Sequence, residues 1–147
     1  MTAVFTIGYQ ESTPDAVIGT LQSAGVALLV DVRAVAASRR PGFSKRQLAA
    51  GVATVGIDYL HLRGLGTPAD GRLAARTGRY DEMRRIFDAH LASEVATAEL
   101  DELGALVASG KPLCLLCFER HADHCHRRIL GERLAGRLGV EIVDLLP

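Results

Sequence analysis

Between residues 113 and 138 the chain reads LCLLCFERHADHCHRRILGERLAGRL, and Cys117, Glu119, Cys125, His126 and Arg127 fall close together within it. Side chains of these types supply a nucleophile, a proton carrier and a fixed positive charge, or soft and borderline ligands for a metal. A second polar cluster lies earlier, where Arg33, Arg39 and Arg40 stand around the loop SRRPGF. Guanidinium forks suit oxyanions such as phosphate and carboxylate. The two clusters together spell an anion held by arginines beside a Cys/Glu/His reactive set.

The spacing constrains each residue. Leu113 to Phe118 is an apolar run of strand length, and side chains alternate along a strand, so Cys117 and Glu119 share a face while Cys114 and Cys117 point apart. Cys114 is therefore expected in the core, and Cys114-x-x-Cys117 is a poor chelate or redox pair. After Glu119 a polar loop leads into an amphipathic helix in which His126, Leu130, Leu134 and Leu138 form one i, i+4 row, turning His126 toward the sheet. With Asp123 as N-cap, His124, His126, Arg127 and Arg128 would occupy the first turn, where the helix dipole disfavours cations by about 0.3 to 1 kcal/mol each. Either Glu119 and Asp123 neutralise that charge, or a bound anion does. Cys125 at the same helix start would have its thiolate stabilised. No cysteine phosphatase loop is present, since the sixth residue beyond Cys117 is Asp123 and not arginine. Zinc on Cys117, Cys125 and His126 is chemically admissible. It ranks below the other readings, because C-x7-C-H is an unfamiliar spacing and neighbouring residues of a helix lie about 100° apart. The sequence assigns no metal and no cofactor.

The elements that must position these residues can be read in chain order. Ala3 to Ile7 is β-prone and ends at Gly8; Ser12-Thr13-Pro14 supplies a hydroxyl cap and a first-turn proline for a helix to about Ala24. Val26 to Val32 is a continuous apolar run of the kind found in strands buried on both faces of a parallel sheet. Ser44 with Gln47 fits a capping box for a helix to about Val55, and Ile57 to Leu62 reads as a third strand. Gly64 to Arg79 is rich in glycine and small residues and reads as an excursion or lid. Tyr80 to His90 and Ser93 to Ser109 carry helical spacing, and Val140 to Leu145 reads as a last strand. Strands alternating with helices predict one α/β domain over residues 1–147: a three-layer sandwich with a mostly parallel sheet of about five strands flanked by helices. Ligands of such sheets bind beyond the carboxyl ends of the strands. Gly8-Tyr9, Asp31 to Arg33 and Cys117 to Glu119 all fall at such ends and should converge on one rim.

Composition limits the partners. With 17 basic and 17 acidic residues the net charge is zero, so any anion site is local. No apolar run approaches the roughly 20 residues that span a bilayer, and no signal peptide pattern opens the chain, so a cytoplasmic protein with no membrane partner is expected. Three cysteines suit independent thiols better than a disulfide framework. Aromatic residues make up 5% of the chain, with no tryptophan, which argues against stacking on single-stranded nucleic acid. Oligomeric state leaves no mark in the sequence.

The ordered segments Thr6-Ile7-Gly8-Tyr9, Asp31-Val32-Arg33, Ser38 to Ser44 (SRRPGFS), Gly56 to Tyr59, Leu65-Gly66, Cys117-Phe118-Glu119 and Cys125-His126-Arg127 resemble the bacterial and archaeal domain-of-unknown-function family 488. The resemblance covers nearly the whole chain. It implies an α/β fold and a cytoplasmic protein, and no settled activity. Two positions depart from the family pattern: Gln10 stands where a serine is frequent, and Thr67 where a second glycine follows Leu-Gly. The expected function is an enzyme acting on a phosphorylated small molecule or nucleotide, with Arg33, Arg39, Arg40 and Arg127 on the anion and Cys117, Glu119, Cys125 and His126 at the chemistry. The alternative is a non-catalytic binding module for a nucleotide or a nucleic-acid end.

Overall fold

The computed structural model describes residues 3–147. Five strands, β1 (Ala3–Gly8), β2 (Leu28–Asp31), β3 (Asp58–His61), β4 (Leu113–Cys117) and β5 (Glu141–Leu145), form one sheet in the order β3-β2-β4-β1-β5. Every pairing in it is parallel, where the sequence predicted mostly parallel. The inner strands β2 and β4 are buried at every residue, while the edge strands β3 and β5 are partly exposed. Continuous apolar runs thus mark the centre of the sheet and mixed runs its edges.

Helices cover both faces, giving the three-layer sandwich. Helices α1 (Pro14–Ser23) and α2 (Lys45–Ala53) pack Val17, Leu21, Leu48 and Val52 on one face with Ile7, Leu29, Cys114 and Leu116. Helices α3 (Ala69–Arg76), α4 (Tyr80–Leu91), α5 (Glu94–Ala108) and α6 (His126–Leu138) cover the other, where Phe87, Leu103, Leu130 and Leu134 meet Val4, Val30 and Leu115. Cys114 and Cys117 fall into opposite layers, as strand alternation requires. Among the described residues no helix is long and apolar enough to cross a membrane.

Several local expectations are corrected. Helix α1 starts as predicted, with Thr13 Oγ1 accepting from the Ala16 amide at 3.1 Å and Pro14 at the first position. Ser44 sits at the N-cap of α2 without a side-chain cap bond; its hydroxyl pairs with the Ser38 backbone, and Gln47 Oε1 accepts from the Gly42 amide. These residues brace the arginine loop instead of closing a capping box. The segment Gly64 to Arg79 is ordered into a 3₁₀ turn (Arg63–Leu65) and α3. Asp123 is not the N-cap of α6. It lies in a 3₁₀ turn (Ala122–His124), its carboxylate pairs with Arg128 at 2.6 Å, and Cys125 caps the helix in extended conformation. His124 is therefore outside the helix, with its ring stacked on Tyr80 at 4.2 Å.

Candidate functional site

The neighbouring strands β1 and β4 end level, with Gly8 opposite Cys117, and their chains then leave for opposite faces, to α1 and to α6. A crevice opens between such ends in parallel sheets. Asp31, at the end of β2, pairs in register with Leu116, so the three predicted segments do share one rim. Two glycines permit the close packing. A Cβ on Gly8 would stand 1.6 Å from the Glu119 carbonyl oxygen, and one on Gly66 2.2 Å from the Ala34 amide nitrogen. Gly8 thereby lets the loop after β4 cross the end of β1.

Two arginines are buried at the rim, and their partners differ. Arg33 forms a bidentate pair with the fully buried Asp31, at 2.9 and 2.7 Å, and donates further to Tyr9 Oη and the Phe43 carbonyl. Its pKa is raised by the Asp31 carboxylate, which outweighs the burial that would lower it. Tyr59 donates to Asp31 Oδ2, which also accepts from Arg33, and burial together with that bond pushes its hydroxyl well above the ordinary tyrosine range. Arg127 is 0% exposed and makes no salt bridge with a carboxylate among the described residues. Its forks reach Thr6 Oγ1 at 3.1 Å, the carbonyls of Glu119 and Arg120, and Cys117 Sγ at 3.0 Å. Burial lowers the Arg127 pKa, yet a guanidinium stays charged in proteins. The guanidinium thus sets a buried positive charge against the Cys117 sulfur, while the Asp144 and Glu119 carboxylates act on it without direct contact.

Around that sulfur the remaining groups converge. Cys117 Sγ lies 3.4 Å from Glu119 Oε2, so a proton can pass between them. Burial pushes the Glu119 carboxyl up, against the pull of its own amide and of Arg127. Cys125 brings its sulfur into bonding contact with that of Cys117, so only Cys114 stands alone and the expectation of three independent thiols is corrected. The physical reason is the loop after β4, which folds back on the strand end. The Cα atoms of the pair are 7.6 Å apart, wider than the roughly 4.4–6.8 Å that disulfides span, so a covalent bridge requires the backbone to close in. His126 Nδ1 lies 3.6 Å from Cys125 Sγ, and its Nε2–H donates to the Val32 carbonyl at 2.7 Å. Burial holds this ring neutral, with its pKa pushed down to about 4 despite that bond. His126, Leu130 and Leu134 are buried as the helical row predicts; Leu138 is partly exposed.

The sequence matches the domain of unknown function DUF488 over residues 13–134. The chain belongs to the DUF488 family. No curated protein and no solved structure matches it. The matched span contains Arg33, the SRRPGF loop, Cys117, Glu119, Cys125, His126 and Arg127, and leaves out β1 with Gly8 and Tyr9.

In this DUF488 chain the sulfurs, Glu119 and His126 line an inner cavity of about 130 Å³, together with Arg33, Tyr9 and Met83. Beside it lies an outer chamber of about 550 Å³ lined by Arg72, Arg76, Tyr80, His121 and His124, and Phe118 and Glu119 border both. The predicted catalytic residues Cys117, Glu119, Cys125 and His126 are brought together. The predicted anion-binding arginines do not form one open site. Arg33 and Arg127 are engaged by internal acceptors, Arg40 donates to the Tyr9 and Ser12 carbonyls, and Arg39 is exposed and lines neither chamber. The first turn of α6 also needs no external anion, since Arg128 pairs with Asp123 and Arg127 caps loop carbonyls. Besides Arg33, the arginines that line the chambers are Arg72, which among the described residues bonds to the Thr67 carbonyl, and Arg76, which makes no salt bridge among the described residues. Sequence reasoning missed them. Their i, i+4 spacing in a segment read as a lid was the available signal.

Proposed function

We propose that this DUF488 chain is an enzyme acting on a small phosphorylated molecule or nucleotide. The anion is held in the outer chamber by Arg72 and Arg76, while the reacting end reaches Cys117 and Glu119 in the inner one. The observation that carries this reading is that the two chambers are neighbours, with Arg72, Phe118, Glu119 and His124 lining both. The inner space is far smaller than the roughly 300–1,000 Å³ of ordinary ligand pockets, so only part of a nucleotide enters it. Arg127 adds positive potential at the rim without offering a free fork, while Arg33 is matched by Asp31. Cys117 is the electron-rich group and Glu119 the proton carrier.

Calorimetric titration with AMP and with inorganic phosphate tests the reading. Wild-type protein binds, Arg72→Ala and Arg76→Ala each weaken binding about tenfold or more, as loss of a charge-assisted contact requires, and Glu119→Gln binds but fails to turn the ligand over. No binding by wild type, or binding indifferent to both arginines, sinks it. Binding without turnover in wild type selects the non-catalytic module.

A further inference from the structure

The geometry points to a metal ion of the zinc class bound by Cys117 Sγ, Cys125 Sγ and His126 Nδ1, with its fourth position open to the inner cavity. The three ligand atoms lie within 4.8 Å of one another and all three residues are buried. The objection from helix geometry falls away because Cys125 is the extended N-cap and His126 the first helical residue, so their side chains are not set by a helical turn. The backbone is also the right width. Two sulfurs about 2.3 Å from a tetrahedral ion stand roughly 3.8 Å apart, and Cα atoms 7.6 Å apart accommodate that separation while being too far apart for a relaxed disulfide.

The surroundings are those of metal ligands. The Val32 carbonyl can only accept, so His126 Nε2 carries the proton and Nδ1 presents its lone pair toward the sulfurs. A backbone carbonyl in that role is the usual outer partner of a ligating histidine. Arg127 donates to Cys117 Sγ in the same way, as a donor to a coordinating thiolate. Two coordinated thiolates cancel the charge of a dication, so the ion adds no net charge to the buried cluster. Two sulfurs and one imidazole nitrogen suit zinc or cobalt better than calcium or magnesium, which take oxygen ligands. Three protein ligands with one position open is the pattern of a catalytic site, where an ion polarises water or an oxygen of the bound molecule. This inference rests on the enzymatic reading in taking the cluster as the chemical centre.

The test is elemental analysis of full-length protein purified under reducing conditions without chelator, followed by replacement with cobalt(II). About one ion per chain is expected, with an intense sulfur-to-cobalt charge-transfer band. Cys117→Ser and Cys125→Ser should each lower bound metal at least tenfold, and Cys114→Ser should not. If a serine variant fails to fold, the wild-type cobalt spectrum decides. Reduced protein that takes up no ion, cobalt without a thiolate band, or metal retained when both cysteines are replaced overturns the inference. AMP titration run in parallel separates the two readings. Metal present with no AMP binding defeats the functional proposal alone, and AMP binding with no metal defeats this one alone.

Discussion

Replacement of Arg127 by methionine isolates what the buried guanidinium does. The side chain is wholly buried, and its loss leaves the Glu119 and Arg120 carbonyls without their donor; Thr6 Oγ1 keeps its bond to Asp144. An unsatisfied buried acceptor costs about 1–3 kcal/mol. Glu119 and Arg120 are only half-buried, which puts each near the lower end of that range. Methionine restores much of the volume and removes the desolvation cost of a charge that no carboxylate touches directly, an offset of about 1 kcal/mol at such sites. The net expectation is a loss of about 1 kcal/mol, out of the roughly 5–15 kcal/mol that folds a domain. For a chain of this length that lowers Tm by about 2–4 °C. Urea unfolding measures it, and Arg127→Lys, which keeps the charge but not the fork, should fall between the two. A second readout separates bracing from electrostatics. In reduced, chelator-treated protein the alkylation of Cys117 should slow several-fold in Arg127→Met and recover in Arg127→Lys. A methionine variant as stable as wild type, with Cys117 equally reactive, refutes the reasoning.

Other perturbations follow from the same geometry. Gly8→Ala forces its methyl into the Glu119 carbonyl; since backbone must move, destabilisation should reach at least the roughly 1–3 kcal/mol of overpacking, read by urea unfolding, and bound metal should fall with it. Tyr59 should ionise late. Its unfolded value is about 10 while the folded one is higher, so above about pH 10 the unfolded chain loses its proton first and stability falls as pH rises. Urea midpoints measured between about pH 9 and 11 should decline less steeply in Tyr59→Phe. Burial pushes the Cys114 thiol far up, so Cys114 should resist alkylation in native protein and react only on unfolding, as peptide mass mapping would show. Chelation should lower thermal stability, by about 2.7 kcal/mol where free metal stood a hundredfold above its Kd.

The parts of the molecule legible in the sequence were those governed by periodicity and by strand ends. Val26 to Val32 and Leu113 to Phe118 read as buried strands because both faces of a central parallel strand are apolar, and β2 and β4 lie there. The convergence of Gly8, Asp31 and Cys117 followed from strand ends alone. What escaped was set by tertiary pairing. Asp123 has the composition of an N-cap, but Arg128 draws its carboxylate outward and leaves the helix start to Cys125. Arginine clusters read as free donors because a sequence does not show which carbonyls they will meet; Arg40 ties the Tyr9–Ser12 loop, and Arg127 the loop after β4. Arg72 and Arg76 went unnoticed for the converse reason, standing in a segment whose glycines masked a short helix.

The two buried arginines contrast in what they meet at the ends of β2 and β4. At the end of β2 the cation is matched by Asp31, and Tyr59, Tyr9 and the Phe43 carbonyl complete its partners; that end of the sheet is a closed brace. At the end of β4 the corresponding cation meets a cysteine sulfur where a carboxylate would satisfy it better. A carboxylate there would make a second brace. A sulfur sets beside the fixed charge an atom that, once reduced, can bind or react. The rigid sheet ends hold this atom, while Arg72 and Arg76 lie on a helix of the excursion after β3, where side chains can vary without disturbing the strands. On the proposed function, substitutions at α3 should therefore change what binds before they change what the cluster can do.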